Sequence, residues 1–260
     1  MHFYIPSLNR VNSQITINHL PTSILRRTTL VVPRDQAAEY TERWGDKVTV
    51  HGVPLRVRGI GATRHYIMTQ LATVNKVCML DDDLRFDVRR ADKPSSFVVT
   101  TDSDVEQMFA ALERAITARV PHGSIMTREG GNRQTEDMHN TRMLRILAYH
   151  VPTYLAVKVN YGKMMIMEDF ATTLALLCAG KPNVVLAHWV HGQGGSGAKG
   201  GCSTYRTLQL QAEAAQNLAA LYPKFVRLVQ KTTKTAWGGG TRMDVQIAWK
   251  KAYASSGAKL

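Results

Sequence analysis

Lys76-Val77-Cys78-Met79-Leu80, followed at once by Asp81-Asp82-Asp83, is the stretch on which this 260-residue chain turns. The first five residues read as a buried strand. Three consecutive carboxylates are expensive to desolvate together, so the acids belong past the strand's carboxyl end. That end is where open α/β sheets place their ligands.

The pattern on either side agrees with a sheet. His2 to Pro6 reads as a first strand, followed by polar Ser7, Asn9 and Arg10. Thr28 to Val32 reads as a second, with Arg34 to Trp44 the helix behind it, and Val48 to Val53 as a third. A helix from Gly61 to about Thr73 leads into the acidic strand. Such alternation predicts the α/β class, with a Rossmann-type, mostly parallel central sheet flanked by helices.

Downstream, Ser103 and Glu106 form a possible capping box for a helix with Val105, Met108, Phe109, Leu112 and Ile116 as its apolar stripe. Residues 123 to 145 read as an irregular polar insertion, and Thr153 to Val159 as a strand. Glu168 and Asp169 then open a helix carrying Phe170, Leu174, Leu177 and Cys178, stopped by Gly180 and Pro182. Asn183 to Val190 is apolar, residues 192 to 201 are glycine-rich, and Ser203 caps a helix to about Tyr222. The expected division is one domain over 1–222, with a basic extension, 223–260, packed on it.

Composition narrows the function classes. Hydrophobic residues make up 44% and charged residues 20%, an ordinary globular balance that excludes disorder and collagen. Lys plus Arg number 33 against 20 Asp plus Glu, a formal net of +13, which favours a polyanionic partner. Residues 221 to 260 hold eight of those cations and a single acid, Asp244. Three widely spaced cysteines without a CxxC pair argue against a disulfide scaffold or a cysteine-built zinc site, and point to a reducing cytoplasm. No stretch approaches the roughly 20 apolar residues of a membrane span.

Several constellations carry chemistry, each beside a plainer reading. The triplet suits a hard cation such as Mg or Mn, with Asp81 and Asp83 on one side if the strand's alternation persists and Asp82 pointing elsewhere. The alternative is a solvated turn capping backbone donors. Arg64, near a helix start at Gly61, suits a diphosphate or is a surface arginine. Glu168 and Asp169 suit acid–base work or simply favour a helix amino terminus. His188 and His191 do not define a metal site by their spacing alone. The glycine loop contains Lys199 but lacks P-loop spacing. The basic carboxy-terminal residues alternate with Phe225, Trp237, Trp249 and Tyr253, which suits phosphates with a stacked base or a basic face over buried aromatics.

Four motifs stand in one order: Ile5-Pro6-Ser7-Leu8-Asn9-Arg10, Gly61-Ala62-Thr63-Arg64, Leu80-Asp81-Asp82-Asp83 and Met167-Glu168-Asp169-Phe170. In this the chain resembles glycosyltransferases of the GT-A fold, and more narrowly is similar to phage glycosyltransferases associated with TET/JBP-type dioxygenases. The resemblance implies a GT-A-like sheet and an inverting transfer from a nucleotide sugar, UDP-glucose or another UDP-sugar, to 5-hydroxymethylcytosine in DNA. It implies Mn or Mg held by Asp81, Asp83 and His191. It implies donor contacts from Pro6, Ser7, Arg10, Arg64, Asp81, Asp82 and Lys199. Asp169 is then the general base, with Glu168 positioning it or binding acceptor hydroxyls. Two rivals stay open at this point: a non-catalytic nucleic-acid-binding protein, and a glycosyltransferase with a glycan or small-molecule acceptor.

Overall fold

The computed structural model of the chain describes residues 1–159, 164–193, 200–232 and 240–257. In chain order the elements are β1 (His2–Pro6), α1 (Ile15–Asn18), α2 (Thr22–Leu25), β2 (Thr28–Pro33), α3 (Ala37–Trp44), β3 (Thr49–Val53), α4 (Gly59–Tyr66) and β4 (Lys76–Leu80). There follow β5 (Leu84–Arg89), β6 (Phe97–Val99), α5 (Asp102–Ala115), β7 (His122–Thr127), β8 (Met138–His139), β9 (Ile146–His150), α6 (Val151–Ala156) and α7 (Glu168–Cys178). The chain continues through β10 (Asn183–Gln193), α8 (Leu208–Leu221), β11 (Val226–Thr232), β12 (Thr241–Ile247) and α9 (Trp249–Ala254).

Among the described residues one sheet runs in the order β3-β2-β1-β4-β9-β7-β10-β5-β6, with β8 on β10. Its amino-terminal half, β3-β2-β1-β4, is wholly parallel, as the βαβ pattern predicts. The other half is mixed: β9 runs antiparallel between β4 and β7, β10 is parallel to β7, and β5 and β6 close that edge antiparallel. The result is an α/β sheet flanked by helices.

Strand alternation sorts the core into two layers. Phe3 and Ile5 of β1, Leu30 and Val32 of β2, and Cys78 and Leu80 of β4 face one side, against Val105, Phe109 and Leu112 of α5. Tyr4, Val31, Val77 and Met79 face the other, with Tyr149, Tyr154 and Leu176. Each such buried Leu or Val contributes roughly 1.5–3 kcal/mol relative to exposure. A third cluster joins Leu174 and Leu177 of α7, Leu218 of α8, Val226 and Val245 of the β11–β12 ribbon, and Tyr253 of α9. The basic carboxy-terminal segment is therefore folded against the two helices.

Four local expectations are corrected. The segment expected as a strand over Thr153 to Val159 is the helix α6, with the strand immediately before it. Pro152 sits in the first turn, where its fixed φ suits a helix and its missing N–H costs nothing. The supposed insertion at 123–145 opens with β7, buried along its first five residues. Gly123 permits this, because a Cβ there would lie 2.8 Å from the Ile116 side chain and 2.9 Å from the Val184 carbonyl. The capping box of α5 is formed by Thr101 and Asp104, not Ser103 and Glu106. Helix α8 is capped by Thr207, which accepts from the Leu210 N–H at 3.0 Å, while Ser203 lies in a short 3-10 turn.

Candidate active site

Strand β4 ends at Leu80 because the next three residues turn: Asp81 N–H donates to the Arg145 carbonyl at 3.0 Å, and the Asp82 carbonyl accepts from the N–H groups of Ile15 and Thr16 at 3.0 and 3.1 Å. The strand's pleat therefore stops before the acids. Asp81, Asp82 and Asp83 all line one cleft of about 870 Å³, which corrects the expectation that Asp82 points elsewhere.

The first loop meets this turn. Ser7, just past β1, donates its hydroxyl to Asp82 Oδ2 at 2.6 Å and accepts from Gln14 Nε2 at 2.6 Å. Arg10 pairs through one nitrogen with Asp82 and with Asp83 Oδ2, the latter at 3.0 Å, while its N–H donates to the Tyr40 hydroxyl at 2.8 Å. Burial raises the Asp82 pKa, opposed by Arg10 and by the Ser7 hydrogen bond.

Arg64 of α4 makes the second junction. Its guanidinium is buried and bridges Asp81 Oδ1, at 2.6 Å, to Glu168 on α7. Burial pushes the Glu168 carboxyl up to about 7 and that of Asp81 up to about 6, with Arg64 pulling both back. Met167, in the left-handed region at φ 62°, precedes the helix and sets its entry angle. Glu168 thus turns inward to Arg64, and Asp169 lines the cleft.

Pro6, Ser7, Arg10, Arg64, Asp81, Asp82, Asp83, Glu168 and Asp169 are all brought to this cleft. His191 is not. Strand β10 continues past it to Gln193, so His191 is a fully buried sheet residue opposite Phe86, and burial drops its pKa to about 3. His188 is exposed, against Trp189. Lys199, in the glycine-rich stretch of residues 192 to 201, lies outside the described residues, as do Trp237 and Lys234.

A hard cation fits the acidic turn in a limited sense. Among the described residues Asp81 Oδ2 and Asp83 Oδ1 have no hydrogen bond, which leaves two carboxylate oxygens for an ion. Among the described residues no set of three His, Cys, Asp or Glu side chains is arranged to hold a metal. Mg-type ions suit such a partial set, because they commonly take one or two carboxylates and complete the shell with substrate phosphates and water.

Sequence reasoning missed several other residues of the cleft. Arg142, Arg145, Arg206, Arg242 and Asp244 also line the cleft, with Tyr205, whose hydroxyl accepts from the Ile60 N–H at 3.1 Å. Arg142 and Arg145 lay in the segment taken for an insertion, where no periodicity marks them. Arg242 and Asp244 were visible only as part of a basic tail.

Comparison with known proteins extends this picture. The chain is 24% identical over 242 residues to the Beta-glucosyl-HMC-alpha-glucosyl-transferase of Enterobacteria phage T6, covering 87% of this chain and 83% of the relative. The protein of the same name from Enterobacteria phage T2 matches with the same identity and coverage. Among solved structures, GalNAc-T7 with UDP, GalNAc and Mn2+ aligns over 74% of this chain and 43% of that chain, with 12% identity and a TM-score of 0.48. A family model described as TET-Associated Glycosyltransferase matches residues 1–201, more than half of the chain, and the protein belongs to that family.

Proposed function

We propose that this protein transfers a glycosyl group from a UDP-sugar to 5-hydroxymethylcytosine in DNA. The observation that carries the reading is the single cleft that holds the acidic turn Asp81–Asp83, the two arginines that cross-link it, and Asp169. Membership of the glycosyltransferase family and the phage relatives' printed names support the substrate class.

Asp81 and Asp83 would hold Mg or Mn, which when bound neutralises charge developing on the departing diphosphate. Arg10 and Arg64 keep the carboxylates in place and add positive charge near the leaving group. Asp169 takes the proton from the attacking hydroxyl as its oxygen bonds to the anomeric carbon and the bond to the nucleotide diphosphate breaks. One direct displacement of this kind inverts the anomeric centre. Glu168 is bound to Arg64 and acts by fixing that arginine, so the acceptor-binding role expected for it passes to other residues.

A second reading has its own support. Both relatives are named for alpha-glucosyl transfer to a glucose already on HMC. In that case the acceptor is a sugar hydroxyl and the new linkage is α. Incubation with hydroxymethylated and with glucosylated duplexes, a panel of nucleotide sugars, and Mg or Mn separates the readings. Mass spectrometry of the nucleosides is expected to show one added glycosyl unit, and NMR of its anomeric proton gives the configuration. No product in any combination would refute glycosyl transfer to modified cytosine.

A further inference from the structure

The cleft that holds the acidic turn also carries a cation that the transfer mechanism does not use. Arg142 stacks on the Phe170 ring at 4.3 Å from its centroid, and Phe170 in turn packs edge-on against Trp249 of α9 at 5.8 Å. Among the described residues Arg142 has no hydrogen bond or ion pair; its electrostatic neighbours are Asp169, Asp244, Arg145 and Arg242. A guanidinium held over an aromatic ring, one residue from Asp169 through Phe170, is oriented while, among the described residues, its donors stay uncommitted.

The β11–β12 ribbon continues this surface. Its register pairs Arg227 with Gln246, Val229 with Asp244 and Lys231 with Arg242, so these six side chains share one face. Asp244 lines the cleft and is held by Lys231 and Arg242, both at 3.1 Å, so two cations surround one anion. Arg227 is exposed and, among the described residues, unpaired. A smaller cavity of about 350 Å³ is lined by Thr141, next to Arg142, and by Trp249, Lys250 and Lys251. Positive charge thus runs from the ribbon, past Arg142, to α9, with Asp169 beside its middle.

We propose that this wall is the acceptor-strand site, in which Arg142 takes the phosphodiester next to the nucleotide presented to Asp169 while Arg227, Lys231 and Arg242 of the ribbon track the neighbouring phosphates. The inference rests on the DNA-acceptor reading and adds to it the surface and the direction of approach. The chemistry recognised is that of a phosphodiester chain, with no base edge required, so the wall positions DNA without reading its sequence. Shape agrees, since a two-stranded ribbon is narrow enough to lie along a groove.

Binding of a labelled duplex, followed by anisotropy over a series of salt concentrations, tests this directly. Each lost phosphate contact lowers the steepness of log Kobs against log salt by about 1. Arg142→Ala and Arg227→Ala are each expected to flatten the slope by about 1 and to raise KM for DNA about tenfold, and Arg142→Lys is expected to restore the slope. The exposed Arg227→Ala keeps the test valid if loss of the Arg142 stack loosens the fold. Unchanged slopes in both alanine variants would overturn the proposal. If those slopes are unchanged while sugar transfer proceeds, the wall is wrong and the transfer reading stands. If the slopes flatten but no donor yields product, the wall stands and the transfer reading falls.

Discussion

Arg64 is the residue on which the two halves of the cleft depend. It is buried between Asp81, whose side chain keeps 32% of its area exposed, and Glu168, which keeps 5%. The Glu168 half therefore dominates its energetic role, since solvent screens the Asp81 side. Arg64→Met is expected to destabilise the fold by about 3 kcal/mol near neutral pH, because a buried carboxylate loses its partner. The sign with pH follows from the raised Glu168 pKa of about 7: the stability that the buried carboxyl lends while protonated is fully present below the unfolded value and lost as pH rises through the folded one, which Arg64 keeps from lying higher. Without Arg64 the carboxyl moves higher still, so the deficit of the variant against wild type should widen between pH 6 and pH 8. Denaturant unfolding at both pH values checks this, and a constant or narrowing deficit would contradict it. The resemblance brings Arg10, Arg64, the triplet and the Glu-Asp pair to one site, whereas the residues alone leave each with a plainer reading. Their partners were not legible, because a bridge such as Arg64 to Glu168 spans 104 residues and leaves no local pattern.

At the scale of elements, the turn after β1 is set against a glycine corner. Gly200 has φ 95°, and a Cβ there would lie 2.5 Å from Arg10 Cγ and 2.8 Å from the Asn9 carbonyl, while Gly201 N–H donates to the Leu8 carbonyl at 2.8 Å. Only glycine adopts that backbone without strain and leaves room for Arg10. Gly200→Ala is therefore expected to displace the guanidinium from Asp82 and Asp83 and to weaken metal-dependent donor binding about tenfold, with less effect on turnover at saturating donor. Calorimetry paired with initial rates checks this, and wild-type donor affinity would contradict it. The parallel half of the sheet was readable because βαβ units repeat a simple alternation. The mixed half was not: β7 hides its glycine among buried residues, and α6 has a β-branched, aromatic sequence with Pro152 in its first turn. His191 was misplaced for a related reason, since nothing local marks where β10 ends.

For the molecule as a whole, buried histidines set a limit on acid stability. His122 is fully buried, with its ring nitrogen 3.0 Å from the Lys181 carbonyl, and burial drops its pKa to about 4. A depressed value means stability that is present above the unfolded pKa and lost as pH falls toward the folded one, at about 1.4 kcal/mol per pH unit per group. In His122→Gln this loss disappears, so its stability difference from wild type should shift in the variant's favour by that amount per unit between pH 6.5 and 4. Thermal or denaturant melts over that range check it, and a pH-independent difference would contradict it. The sheet, helices and ribbon bring the acidic turn, Asp169 and the arginines to one cleft, and within it donor binding and chemistry fall to different residues. The direct measurement compares Asp83→Ala with Asp169→Asn, using donor calorimetry with Mn and single-turnover product formation on the same preparations. Asp83→Ala is expected to lose metal-dependent donor binding, whereas Asp169→Asn is expected to bind donor within about twofold of wild type and to turn over roughly 10²-fold more slowly. Wild-type turnover in Asp169→Asn, or undiminished donor binding in Asp83→Ala, would contradict it.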